Sequence, residues 1–187
     1  MRLFFAVLPD ERAKSKLATV SKKMRNMAIS GNFTKPENLH LTLEFMGEID
    51  NDGIIRLKKL VRDFFYQGFV IQTRNMGFFS NRGSNDILVW NIEKSSELAG
   101  LVGVLREKLR NMNFQVDDRE YRPHFTIARQ IRLTDGARDM IVKTPEPTMF
   151  MQCDRLSLME SARVNGNLLY REIVGIDFFS LAEETDK

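Results

Sequence analysis

The sequence holds two histidines, and both head the same short pattern: His40-Leu41-Thr42-Leu43 and His124-Phe125-Thr126-Ile127. In an extended strand, side chains two residues apart point to one face. His40 and Thr42 therefore project together, as do His124 and Thr126, while Leu41, Leu43, Phe125 and Ile127 point the other way. Each segment offers one imidazole and one hydroxyl to a common surface. An unperturbed imidazole titrates near ~6.5, so of two copies one can be neutral and the other protonated close to neutral pH. A neutral ring can activate water and an imidazolium can protonate a leaving oxygen, each worth roughly 10²–10⁴-fold. Threonine hydroxyls can donate to non-bridging phosphoryl oxygens. This set of groups suits in-line displacement at a phosphodiester, and no step of it needs a metal. A single histidine on a strand is ordinarily a satisfied polar residue; the repetition argues for catalysis. Metal ligation is disfavoured, since no cysteine joins the pair and no H-x-x-x-H or H-E-x-x-H spacing occurs.

The elements that must position these groups can be read from hydrophobic periodicity. Residues 2–8, with six apolar residues in a row from Leu3 to Leu8 closed by Pro9, show the pattern of a buried strand. From Glu11 to Ala28 the period changes: Ala13, Leu17, Val20, Met24 and Met27 make one helical stripe, opposite Lys14, Lys16, Lys22, Lys23 and Arg25. Leu39 to Met46 reads as a strand. Gly53 to Tyr66 reads as a helix with Asp52 as its cap, and Phe69–Phe79 and Ile87–Ile92 as strands around a loop at Ser80–Asp86. A helix capped by Ser95 or Ser96 runs to Met112. His124 to Ile131 is a strand and Asp135 to Val142 a short helix. Two long strands, Arg155–Arg163 and Leu168–Phe179, flank Asn165-Gly166, a dipeptide suited to a two-residue hairpin turn. Hairpins mixed with helices predict an α+β fold with antiparallel strands. No linker or low-complexity segment interrupts residues 1–187, which predicts one domain of two similar lobes.

Composition sets the outer bounds. Hydrophobic residues make up 43% and charged residues 28% of the 187, an ordinary globular balance that excludes a disordered or fibrous chain. A net charge of +3 permits an anionic partner without demanding one. With one cysteine, Cys153, no intrachain disulfide can form, which fits a reducing compartment. The opening apolar run is too short for a signal-peptide core, and no segment approaches a bilayer span, so a cytoplasmic protein is expected.

The two motifs with their flanks resemble the 2H phosphoesterases, and within them the RNA 2′,3′-cyclic phosphodiesterases, also called 2′-5′ RNA ligases. The resemblance covers almost the whole chain. It is carried by Met1–Val7, by Glu37–Ile49 around the first motif, and by Tyr121–Arg129 around the second. Gly77-Phe78-Phe79 with Ile87–Trp90, and Leu158–Ser161 with Gly166 and Tyr170, support it. The resemblance implies a bilobal α+β fold, an antiparallel sheet in each lobe and an active site between them. It implies hydrolysis of an RNA 2′,3′-cyclic phosphate to a 2′-phosphomonoester without a cofactor, and a capacity to run backwards as a 2′-5′ ligase. It makes His40 the proton donor to the leaving 3′-oxygen and His124 the base, although the near-symmetric motifs give no independent preference. Thr42, Thr126 and Arg129 would hold phosphoryl oxygens. Strict alternation sends Arg129 to the opposite face from His124, so a bulge must intervene for it to reach the site. Arg122 reads as a rim charge and Trp90 as core. One of Phe45, Phe78 and Phe79 is a candidate to stack on a base. The loop Ser80–Asp86, with Arg82 alone basic, lacks the cations expected of an RNA grip.

Two other functions fit the same residues. One keeps the chemistry but acts on small nucleotides, such as a cyclic phosphate of ADP-ribose or 2′-5′ oligonucleotides. The other is a non-catalytic RNA- or nucleotide-binding module, against which the retention of both His-Thr pairs speaks. A cleft within one chain needs no partner subunit, so a monomer is expected.

Overall fold

The apolar run after Met1 forms the strand β1 (Arg2–Val7), whose last five residues are buried. In this computed structural model, which describes residues 1–79 and 86–180, β1 pairs antiparallel with β3 (Leu41–Glu48) on one side and β8 (Arg155–Val164) on the other. β9 (Asn167–Asp177) completes this arm through the hairpin with β8. Asn165 and Gly166 both take positive φ, 50° and 79°, the conformation a tight two-residue turn requires. The second arm joins β4 (Phe69–Phe79), β5 (Asp86–Ile92) and β6 (His124–Leu133), with β7 (Phe150–Cys153) outside β4 and β2 (Ala28–Phe33) on the far end of β6.

The two arms are not separate sheets. They form one curled antiparallel sheet in the order β7-β4-β5-β6-β3-β1-β8-β9, joined at the β3–β6 seam by the single pair Leu41↔Phe125. Both residues of that pair are fully buried. The sheet therefore turns on the apolar residues of the two motifs, and the seam is where the lobes meet.

Helices cover the core face. α1 (Glu11–Arg25) is capped by Asp10, whose carboxylate accepts from the Ala13 N–H at 2.7 Å. α2 (Asn51–Arg62) is capped by Asp50, which accepts from Gly53 N–H at 2.8 Å. α3 (Ser96–Asn111) is capped by Ser95, and α4 (Ala137–Lys143) follows β6. Leu17, Leu57, Trp90 and Leu105 are among the fully buried residues of the main core. The Trp90 Nε1–H is satisfied by the Arg74 carbonyl at 2.8 Å.

Several boundaries differ from the sequence expectation. The first helix ends at Arg25, and the chain after it becomes β2, whose mostly exposed AISGNF carries no apolar alternation to announce it. The second helix starts two residues earlier than expected, with Asp50 rather than Asp52 as cap, and stops at Arg62, before buried Phe64. β7 is a short edge strand that was not expected. His40 lies one residue before β3 rather than within it. Residues 80–85 of the loop in which Arg82 is the sole basic residue lie outside the described residues. Among the described residues, no helix is long and apolar enough to cross a membrane.

Candidate active site

Each histidine is fixed by the same local device. His40 Nδ1 lies 2.7 Å from the carbonyl oxygen of Asn38, and His124 Nδ1 lies 2.7 Å from that of Arg122, two residues earlier in each case. A carbonyl can only accept, so Nδ1 carries the proton in both rings and Nε2 is the atom left for proton transfer. Each ring is also packed. His40 sits against Phe4 at 4.8 Å between centroids and edge-on to Tyr170 at 4.9 Å; His124 is edge-on to Phe79 at 4.8 Å.

A bulge follows each motif, and it decides which residue comes next to the site. In β3 the register against β1 slips between Phe5↔Glu44 and Ala6↔Thr42, leaving Leu43 without a partner. Leu43 and Glu44 are consecutively buried, and Phe45 turns out. In β6 the register against β5 slips between Leu88↔Ala128 and Val89↔Thr126. Ile127 and Ala128 are consecutively buried, and Arg129 turns out. The residue five after each histidine thus returns to the histidine face: Phe45 in one half, Arg129 in the other.

Because the strands run antiparallel through Leu41↔Phe125, each strand passes the other's histidine as it leaves the seam. Two adjoining depressions result, each of about 720 Å³. His40, Thr42, Phe45 and Arg129 line the first, with Arg2 and Arg163 farther out. His124, Thr42, Phe45 and Phe79 line the second, with Arg122 at its edge. Thr42 and Phe45 belong to both, so the depressions form one cleft. Thr126 is half-buried on the same strand face as His124 and does not contribute to either lining. Of the other expected aromatics, Phe79 packs on His124, Phe78 carries the guanidinium of Arg138 at 4.3 Å, and Phe45, 47% exposed, carries that of Arg2 at 4.9 Å.

The electrostatics favour neutral rings in the free protein. Burial pushes the His40 imidazole down to about 4, with smaller contributions from the charges of Arg129 and His124. Burial also lowers His124, again with Arg129 contributing. One guanidinium thus acts on both rings. Arg129 has no carboxylate partner among the described residues. The expectation that one ring is protonated near neutral pH does not describe the free protein; a proton must be taken up from solvent when the anionic ligand binds.

Supporting residues were not visible in the sequence. Asn38 is buried; its Nδ2 donates to the Leu168 carbonyl at 2.9 Å and its Oδ1 accepts from Tyr170 N–H at 3.1 Å. It thereby ties the carbonyl that holds His40 to β9. In the other half the Glu44 carboxylate, with its side chain fully buried, accepts from Arg106 Nε at 2.6 Å and from Asp117 N–H at 2.9 Å. Tyr121, whose phenol burial keeps protonated, donates to the Thr42 carbonyl at 2.8 Å. The segment that holds His124 therefore hangs from the strand that carries the first motif. The spacing of Asn38, two before His40, was the one available signal; Glu44 gave none, because alternation places it in the cleft.

Comparison with known proteins agrees with this site. Residues 7–90 match the family described as LigT like Phosphoesterase. An "RNA 2′,3′-cyclic phosphodiesterase" of Methanocaldococcus jannaschii is 34% identical over 141 residues, 75% of this chain and 77% of that protein. One of Archaeoglobus fulgidus is 31% identical over 144 residues, 76% and 80% of the two chains. The chain belongs to the LigT-like phosphoesterases. Among solved structures, apo LigT of E. coli superposes with a TM-score of 0.76 over 95% of this chain and 96% of that one, at 20% identity. That likeness shows that the two chains share an α+β fold. In this LigT-like phosphoesterase the family match spans the first motif and the middle hairpin, and the second motif meets the first at the β3–β6 seam.

Proposed function

We propose that this phosphoesterase hydrolyses RNA 2′,3′-cyclic phosphate ends to 2′-phosphomonoesters, using His40 and His124 as a proton-transfer pair. The single observation that carries this reading is the duplicated device: two imidazoles with Nδ1 fixed and Nε2 free, flanking a seam that one unpaired guanidinium reaches. The printed names of the relatives supply the substrate class.

The charges explain how the pair is armed. In the free protein both rings are neutral, held so by burial and by Arg129. A cyclic phosphodiester brings one negative charge. It engages Arg129, offsetting that residue's effect on both rings, and directly favours an imidazolium. One Nε2 then carries a proton to the leaving 3′-oxygen, while the other takes one from the attacking water. Thr42 and Thr126 donate to the non-bridging oxygens, and Arg129 neutralises the charge there. With His40 as acid, the nucleoside occupies the His40 depression and its base rests on Phe45, the exposed ring that both depressions share. The reverse reaction needs only a 5′-hydroxyl in place of water. In dilute RNA, hydrolysis prevails because water is far more concentrated.

The test is an oligoribonucleotide ending in 2′,3′-cyclic phosphate, incubated with a chelator. The expected product is a 2′-phosphate. A 3′-phosphate would show that the 2′-oxygen leaves, and no turnover would refute the reading.

A further inference from the structure

The two depressions carry different charge. Beside His40, Arg2 and Arg163 have no carboxylate partner among the described residues, and the carboxylates of that side are engaged elsewhere. Glu160 pairs with Arg171 at 2.5 Å and Glu48 lies 3.5 Å from the Met1 amino group. Beside His124, Arg106 is held by Glu44 and Arg119 by Asp117, while Glu120 pairs with Lys94. Of the arginines that line the two depressions, Arg2, Arg129 and Arg163 beside His40 and Arg122 alone beside His124 have no carboxylate partner among the described residues, so the unspent cations lie mostly on the His40 side.

The two arginines are also placed for anion recognition. The Arg2 guanidinium lies over the Phe45 ring, 4.9 Å from its centroid. The contact with the ring consumes none of the guanidinium's N–H donors in a hydrogen bond, so they are available to a phosphate. Arg163 lies at the end of β8 beside the Asn165-Gly166 turn and makes a weak 3.4 Å contact to the Gly166 carbonyl. Both line the same depression as His40, Phe45 and Arg129, beyond the reacting centre.

We infer that the His40 depression contains a second phosphate subsite, in which Arg2 and Arg163 bind the phosphodiester on the 5′ side of the terminal cyclic nucleotide. The substrate class is then an oligoribonucleotide end rather than a free cyclic mononucleotide. This rests on the phosphodiesterase reading and extends it. Arg129 stays with the reacting phosphorus, the Phe45 platform takes the terminal base, and the strand leaves past Arg2 and Arg163. An aromatic platform beside unpaired cations is the usual construction of a single-strand groove.

The experiment compares kcat/KM for a trinucleotide with a 2′,3′-cyclic phosphate end against a 2′,3′-cyclic mononucleotide. The native protein should favour the trinucleotide by tenfold or more. Arg2→Gln and Arg163→Gln should each lower that preference by about tenfold, the loss of one charge-assisted contact. Each should also reduce the slope of log kcat/KM against log salt by about 0.7 for the trinucleotide. Arg163→Lys should restore part of the preference. Arg122→Gln, on the opposite side, should change it by less than twofold. Equal losses on both substrates, or a native preference near one, would overturn the subsite while leaving the phosphodiesterase reading intact. A preference lost in Arg122→Gln instead would place the strand in the His124 depression. Failure to turn over either substrate would remove both readings together.

Discussion

The two halves of the cleft are built alike and equipped differently. In each, a histidine donates Nδ1–H to the carbonyl two residues before it, a threonine follows at two, a bulge buries the next two residues, and the fifth residue turns out. The outturned residue is Phe45 in one half and Arg129 in the other. The supports differ as well: a buried asparagine ties the His40 side to β9, while a buried carboxylate, a guanidinium and a phenol tie the His124 side to β3. The shared part supplies two equivalent proton-transfer atoms. The unshared part gives the reaction a direction, because the guanidinium of Arg129 can hold an anion and the ring of Phe45 cannot.

This difference can be tested from its strongest element downward. His40→Ala and His124→Ala should each lower kcat/KM by about 10³–10⁴-fold. The double variant should be little worse than either single one, since both rings serve one step. Arg129→Gln should cost about 10²–10³-fold and shift the pH profile. Its sign follows from its charge: Arg129 depresses both imidazoles, so its removal moves the profile of kcat/KM to higher pH. Thr42→Ala should cost about 10²-fold, mostly in kcat, the worth of one donor to a charged oxygen. Phe45→Ala should be mildest, raising KM for a cyclic mononucleotide by about tenfold with kcat nearly retained. If Phe45→Ala instead matched Arg129→Gln in lowering kcat, the two outturned positions would not be specialised as described.

What could be read in advance followed from alternation. His40 with Thr42 and His124 with Thr126 share faces because the strands there are regular, and Leu41 and Phe125 are buried as alternation demands. Arg129 could be placed only by supposing a bulge, and Phe45 was named only as one of three candidate stacking rings, because nothing in Leu43-Glu44-Phe45 announces the slipped register that turns it out. The same slip sends Glu44 inward, where it becomes a buried anchor instead of a third cleft residue. The edge strands β2 and β7 were missed for another reason: one is mostly exposed and the other is four residues long, so neither shows a sustained period. Helix ends moved by a few residues where caps and tertiary packing, rather than periodicity, set the limits.

The pH dependence of kcat/KM, measured with a chelator present on a cyclic-ended oligoribonucleotide, tests the proton-transfer pair most directly. Burial places both imidazoles below their ordinary value, His40 at about 4. The profile should therefore be a bell with both limbs below about 6.5, and the residual activity of either histidine variant should keep only one limb. A profile that is flat across that range, or that stays bell-shaped after a histidine is removed, would contradict acid–base catalysis by His40 and His124.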